Sequence, residues 1–240
     1  MLLAAVRDEF LERAWDPPGR HWPASAADLI GGRDRTGHGT WLAVRPGGAR
    51  RSGAAVAALL NGVRLPAPAY GARPTRGGLP LTVLAGGPDL DVDDLAGYDG
   101  FHLLRADADG AVVWTWDGAE LSRLDLPPGD HIIVNAGVDR TDSALVEHFG
   151  PRLAALPAPD PRSGRDTLAA WGSWLDLLRG DGLPGDDPRA LIVRRTFVTD
   201  SGDELVYGSS SASLVAIGRD DAVRFDFTAH PADPQWYEVS

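Results

Sequence analysis

The sequence predicts an α+β sandwich in which strands dominate both halves and two adjacent helical segments lie between them. Three observations carry that expectation. Short apolar runs punctuated by Gly and Pro fill residues 2–135, a 3.6-residue apolar period appears only over residues 142–180, and strand-like runs return over residues 191–227. Strands and helices segregated in this way pack as α+β layers rather than as alternating βαβ units. At 240 residues one domain over 1–240 suffices, since β sandwiches reach this length undivided.

Taken in order, residues 2–6 read as a buried strand closed by Arg7-Asp8-Glu9, and residues 15–23, with Pro17-Pro18-Gly19, as a loop. Residues 40–44 and 54–60 are strand-like and joined through Pro46-Gly47-Gly48. Proline-rich residues 62–74 form an irregular excursion, and residues 78–84 a short helix. Asp107-Ala108-Asp109-Gly110 between the apolar runs 101–105 and 111–116 signals a hairpin. Read as a calcium loop it lacks the closing Glu. Residues 121–126 and 131–135 extend the meander. Asp142 or Ser143 is placed to cap a helix with Leu145, Phe149, Leu153 and Leu156 on one face. A second helix groups Leu168, Trp171, Leu175 and Leu178 and stops at Gly180. Residues 191–198, 204–207, 213–217 and 223–227 are the closing strands.

Composition narrows the function. All 23 basic residues are Arg, against 34 acidic ones, and the net charge of −11 disfavours nucleic acid and anionic membrane surfaces as partners. With no Cys there is no disulfide, Cys-ligated zinc, Fe–S cluster or thiol catalysis in these residues. Residues 1–6 are apolar but too few for a signal segment, and no apolar run is long enough to span a bilayer, so a cytoplasmic protein without an integral membrane segment is expected. The six His are scattered without an i, i+4 pair, so no metal site is expected. Ser209-Ser210-Ser211 has no Gly-x-Ser-x-Gly elbow to support a serine triad. The sequence sets no oligomeric state.

Several segments stand in one order along nearly the whole chain: Val6-Arg7-Asp8-Glu9, Gly31-Gly32-Arg33-Asp34, Gly39-Thr40-Trp41-Leu42, Leu60-Asn61, Thr75-Arg76-Gly77, Tyr98 with residues 100–104, Val134-Asn135 and Tyr207-Gly208-Ser209. Together they resemble the NRDE family, also called the transport and Golgi organization family, named for an Asn-Arg-Asp-Glu motif that ends an early strand. The resemblance implies a branch of the N-terminal-nucleophile hydrolase fold, a four-layer αββα sandwich of two antiparallel sheets. In that fold the residue at the start of the first strand is the nucleophile and, through its α-amine, the base. In the family it is a cysteine directly after the initiator methionine, which attacks as a thiolate. Asp8 matches the residue that orients the α-amine, with Arg7 beside it in a charge pair. Asn61 and Asn135 match positions of substrate and oxyanion donors.

Three departures matter: Cys is absent, Val6 replaces the first Asn, and Ser210 stands where the family usually has Arg. The motif also comes early, since family members carry a strand and a turn before it, on the order of ten to twenty residues. The expectation is a lost first strand, with the true start upstream and beginning Met-Cys.

The family is linked to haem mobilisation and to lipid or acyl-CoA homeostasis. The resemblance therefore implies binding or trafficking of an amphipathic small molecule, with haem as cargo rather than resident cofactor. A cleft lined by Trp41, ringed by Arg7, Arg33 and Arg76 and flanked by Asp34 would hold it, and His38 is the candidate axial ligand. The alternative is an amidohydrolase of non-peptide C–N bonds. Plainer roles stand beside each residue: a solvated strand end at Arg7-Asp8-Glu9, an Arg33–Asp34 ion pair bracing a turn, and strand-end caps at Asn61 and Asn135. Trp41, Trp114 and Trp116 suit either the core or a flat ligand wall. The expectation that binds these residues is that Arg7, Asp8, Asn61 and Asn135 converge on one cavity mouth between the sheets.

Overall fold

The computed structural model describes residues 1–48, 53–66, 73–86, 90, 92–161 and 166–239. β1 (Leu2–Phe10) belongs to the smaller of two large sheets. The larger sheet is a seven-stranded antiparallel meander of β2 (Trp15–Gly19), β3 (Ile30–Asp34), β4 (Leu42–Arg45), β5 (Ala55–Asn61), β6 (Phe101–Asp107), β7 (Ala111–Trp116) and β8 (Leu121–Leu126). A separate ribbon pairs β9 (Ile133–Val134) with β10 (Gly137–Val138). β11 (Arg194–Val198), β12 (Glu204–Ile217), β13 (Val223–Thr228) and β14 (Tyr237–Glu238) complete the smaller sheet, in the order β1-β12-β13-β14 with β11 also on β12.

Strand alternation sends successive side chains to opposite faces and thereby builds three packed layers of core. Between the sheets, Ile30, Leu42, Val44, Val56, Leu104 and Val113 meet Val215, Ile217, Phe225 and Phe227. On the outer face of the larger sheet, Phe101, Leu103, Trp114 and Trp116 pack under Leu79, Val83 and Leu84 of α1 (Leu79–Ala85). The small side chains of Ala43, Ala55 and Ala57 share that face. On the outer face of the smaller sheet, Leu214 and Ala216 lie under Trp171, Leu175 and Leu178. The result is a sandwich of two antiparallel sheets with short helices outside. Trp114 and Trp116 are core residues.

Several expectations hold in detail. Asp107 Oδ1 accepts from the Asp109 and Gly110 amides at 3.0 and 3.2 Å and closes the β6–β7 hairpin. Ser143 caps α2 (Ala144–Ala154), and Phe149 is its buried residue. Other readings are corrected. Part of the segment read as a loop over residues 15–23 is β2, whose Pro17 and Pro18 are tolerated because β2 is an edge strand. The second predicted helix is broken at Gly172 (φ +50) into α3 (Thr167–Trp171) and α4 (Ser173–Leu178), and α3 buries Thr167, Ala170 and Trp171 while Leu168 is 69% exposed. The strands read over 204–207 and 213–217 are one 14-residue strand, β12. Of residues 131–135 only Ile133 and Val134 form a strand, outside the meander. Within the 62–74 excursion, residues 67–72 lie outside the described residues, and the rest has no regular structure. Among the described residues no helix is long and apolar enough to cross a membrane.

Candidate functional site

Alternation along β1 decides which side chains reach the space between the sheets. Leu3 and Ala5 pack into the inter-sheet core, whereas Ala4 and Val6 pack toward α3 and α4. By the same alternation Arg7 and Glu9 face the inter-sheet side and Asp8 the outer side. A bulge in β12 sits at this point: Arg7 is opposite Ser211 and Asp8 opposite Ser209, so Ser210 is the extra residue. Ser210 Oγ accepts from Arg7 Nη1 at 2.7 Å and donates to the Arg7 carbonyl at 3.2 Å.

The Arg7 side chain is only 7% exposed. Its guanidinium carbon lies 4.3 Å from the Trp41 ring centroid and 6.0 Å from that of Trp15, which meets Trp41 edge-on. A buried guanidinium against aromatic faces keeps its charge through the ring quadrupoles and one near carboxylate. That carboxylate is Glu9, with Oε2 3.7 Å from Arg7 Nη2. Burial lowers the Arg7 pKa, and the charges of Glu9 and Asp34 offset part of the effect. Trp41 reaches this position because Gly32 has no side chain. A Cβ there would lie 2.2 Å from the indole ring.

Arg13 extends the cluster. Its Nε and Nη2 each lie 2.7 Å from Asp34 Oδ2, and its Nε is 3.5 Å from Glu9. Asp34 Oδ1 accepts from the Thr36 and Gly37 amides at 2.8 and 2.9 Å, which fixes the turn after β3. Burial acts to raise the Asp34 pKa, but Arg13 and the two amides outweigh it and hold the carboxyl below its ordinary range. Arg76 comes from the 3-10 turn Arg76–Gly78 and donates from Nη1 to the Gly100 carbonyl at 2.7 Å. Burial lowers its pKa, while Asp99 and Glu9 act in the opposite sense. The Thr40 amide donates to the Gly77 carbonyl at 2.8 Å and docks this turn on the β3–β4 connection. Arg7 and Arg13 thus share the carboxylate of Glu9 beside Trp15 and Trp41, Asp34 pairs with Arg13, and Arg76, bonded to the Gly100 carbonyl, feels the charges of Asp99 and Glu9.

Of the candidates from the sequence, Arg7, Asp34, Trp41 and Arg76 are gathered here. The others are not. Arg33 faces the opposite way from Asp34 and pairs with Asp16 at 2.7 Å, so neither the expected Arg33–Asp34 ion pair nor its place in the ring of cations is found. Asp16, held by Arg35 and Arg33, has its pKa pulled down to about 2. Asp8 is on the other face from Arg7 and accepts from Ser209 Oγ at 2.6 Å; the Arg7 ion pair is with Glu9 instead. His38 is exposed at φ +58, its carbonyl accepting from Trp22 Nε1 at 3.0 Å. Asn61 is exposed at the end of β5, opposite Phe101. Asn135 is exposed in the β9–β10 turn, and its carbonyl lies 3.2 Å from His102 Nε2. His102 pairs with Leu60, which brings Asn135 to the same end of the β5–β6 pair as Asn61. Among the described residues no hydrogen bond links either Asn side chain to the Arg7 cluster, so the four-residue convergence is not seen.

Arg13, Trp15 and His102 have cluster or positioning roles that the sequence does not assign, and Glu9, read only with its neighbours as a strand end or pocket lining, is the ion-pair partner of Arg7. The i, i+2 spacing of Arg7 and Glu9 on a strand was the available signal. Arg13 lies beyond the strand end and offered none.

Burial raises the Asp8 pKa above its ordinary 3.8, with the Ser209 hydrogen bond acting against it. Ionised Asp8 therefore costs stability at neutral pH, and the cost disappears as pH falls below the ordinary carboxylate value. Asp8→Asn is expected to melt at or a few degrees above the wild type at pH 7, with the gain gone near pH 3. Thermal unfolding at the two pH values checks this; a marked loss of stability at pH 7 would contradict it.

A family model described as Transport and Golgi organisation 2 matches residues 1–226. No curated protein matches the chain.

Proposed function

Because the chain belongs to the transport and Golgi organisation 2 family, we propose that it binds and carries an amphipathic small molecule whose anionic groups, like those of haem or an acyl-CoA, meet the Arg7, Arg13 and Arg76 cluster. The observation that carries this reading is the Arg7 guanidinium seated against Trp41 at 4.3 Å. It joins a desolvated cation to an aromatic wall. Three guanidiniums against the carboxylates of Glu9, Asp34 and Asp99 make the cluster close to neutral on a chain whose net charge is −11. A near-neutral patch repels anions less than the rest of an acidic surface. Carboxylates and phosphates are matched by guanidinium forks, and a flat apolar body by the Trp15 and Trp41 rings.

Haem would be held by its propionates and by stacking. His102 is buried with both ring nitrogens engaged, by Thr115 and the Asn135 carbonyl, and His38 is exposed on a turn, with no contact from either to the cluster among the described residues. Titration of the purified chain with haemin and with palmitoyl-CoA, followed by tryptophan quenching, tests the reading. Saturable quenching at one ligand per chain is expected; linear, non-saturating quenching by both would contradict it.

The helix–sheet–sheet–helix order supports an N-terminal-nucleophile-hydrolase-like reading of the fold. One observation favours the amidohydrolase alternative: among the described residues β1 pairs with β12 alone, so its other edge is open. A strand bearing a cysteine after an initiator methionine would pair along that edge and supply the thiolate. In-frame Met-Cys codons upstream, with amide hydrolysis lost on Cys→Ala in the extended chain, would support it. A stop codon within a few codons of Met1 would end it.

A further inference from the structure

The β9–β10 ribbon, whose turn holds Asn135, is tied down by two histidines with opposite proton requirements. At its base, His131 Nδ1 lies 2.7 Å from Asp139 Oδ2 and its Nε2 lies 2.8 Å from the Pro127 carbonyl. A carboxylate and a carbonyl are both acceptors. Both contacts are hydrogen bonds only when both ring nitrogens carry a proton, that is, in the imidazolium. The same Asp139 closes the ribbon: its Oδ1 accepts from the Ile132 amide at 2.8 Å and its amide donates to the Ile132 carbonyl at 2.8 Å. Asp139 holds φ +49 to do so.

At the other end, His102 Nε2 reaches the Asn135 carbonyl at 3.2 Å and Nδ1 lies 2.8 Å from Thr115 Oγ1. A hydroxyl can donate, so neutral His102 protonated on Nε2 satisfies both contacts. His102 is 6% exposed, and its burial favours that neutral form.

We propose that residues 133–138 form a pH-set strap at the β5–β6 end of the sandwich, locked at its base by the doubly donating His131 imidazolium, held at its turn by neutral His102, and released when His131 loses its proton. As regulation of ligand binding it would require Asn135, which lies outside the Arg7 cluster, to touch the ligand; as a property of the ribbon it does not. The charged groups acting on His131 are Asp139 and Asp130, both acidic. The Asp139 hydrogen bond and then the Pro127 carbonyl raise its pKa above 6.5, with partial burial opposing them. The sign follows. A histidine whose folded pKa is raised contributes stability that is fully present below 6.5 and is lost as pH rises through the folded value. His102 works in the opposite sense: burial disfavours its charged form, so its contribution is present above 6.5 and is lost as pH falls through the lowered folded value.

The test is hydrogen exchange of the Ile132 and Asp139 amides, which donate to Asp139 Oδ1 and the Ile132 carbonyl at 2.8 Å, corrected for intrinsic rates, across the His131 titration followed by NMR. Protection should fall by roughly tenfold as His131 deprotonates, the scale of one hydrogen bond to a charged group, while Leu103 and Trp114 in the meander stay unchanged. In His131→Gln, protection should be low at every pH. Three results would overturn the strap: His131 titrating at or below its ordinary value, ribbon protection independent of pH in the wild type, or the same pH dependence in His131→Gln. Haemin affinity measured in parallel separates the two readings. Protection that changes while affinity does not supports the strap and counts against Asn135 as a ligand residue.

Discussion

Asp226→Ala is expected to lose on the order of 3–5 kcal/mol of stability, the range for breaking a buried ion pair from one side. Asp226 is fully buried, and its carboxylate is shared by four donors. Arg224 supplies Nε at 2.6 Å and Nη2 at 3.0 Å, Thr167 its Oγ1 at 2.5 Å, and Trp171 its Nε1 at 2.8 Å. Thr167 and Trp171 belong to α3 and Asp226 to β13, so this one carboxylate fastens the outer helices to the smaller sheet. Removal takes the carboxylate from all four donors in a site that admits little water. Glu238, in an ion pair with Arg224 Nη1 at 3.6 Å, reaches the guanidinium but, among the described residues, not Thr167 or Trp171 of α3. A loss of that size is a large fraction of a typical domain's total stability. Urea unfolding measures it directly; a loss below about 1 kcal/mol would mean that the outer helices are held by apolar packing alone.

Gly39→Ala is expected to cost on the order of 2 kcal/mol, within the usual range for forcing an atom into a packed interior. It should also weaken ligand binding. A Cβ on Gly39 would lie 2.2 Å from the Gly77 carbonyl carbon and 2.3 Å from its oxygen, and these are backbone atoms that cannot rotate away. Relief requires the turn carrying Arg76 to move off the β3–β4 connection, with loss of the Thr40-to-Gly77 hydrogen bond. Gly78 is the control, because a Cβ there meets nothing within 4 Å. Gly78→Ala should melt with the wild type. Equal melting temperatures for Gly39→Ala and Gly78→Ala would contradict the close approach.

Much of the fold was legible because hydrophobic periodicity and turn chemistry act locally. Asp107 to Gly110 announces a hairpin through backbone groups two and three residues away, and Ser143 caps its helix through the next turn. What escaped depends on distant partners. Pro17 and Pro18 read as breakers, and only the position of β2 at a sheet edge makes them tolerable. The serines between the two apolar runs of β12 read as a gap, yet Ser209 to Ser211 stay extended because β1 pairs along them and a bulge absorbs the extra residue. Leu168 has the right helical spacing to Trp171 and Leu175, yet α3 turns Thr167, Ala170 and Trp171 inward and leaves it exposed.

The site was partly legible for the same reason. Arg7, Asp34, Trp41 and Arg76 lie in motifs whose glycines set the packing around them, so their grouping follows from the Gly32 and Gly39 contacts. Asp8 and Arg33 were misplaced by treating sequence neighbours as spatial neighbours. On a strand, adjacent residues face apart, and Arg7 finds Glu9 two positions on rather than Asp8 beside it.

The central claim is that the ligand's anionic groups meet the inter-sheet cluster. It is tested most directly by comparing Arg76→Ala with Arg33→Ala in haemin and palmitoyl-CoA titrations. Arg33 sits on the opposite face, paired with Asp16, although both residues occupy equally suggestive motifs. Arg76→Ala should weaken binding by roughly tenfold or more, the loss of one charge-assisted hydrogen bond, while Arg33→Ala stays within about twofold. Equal losses in the two variants, or a loss confined to Arg33→Ala, would contradict it.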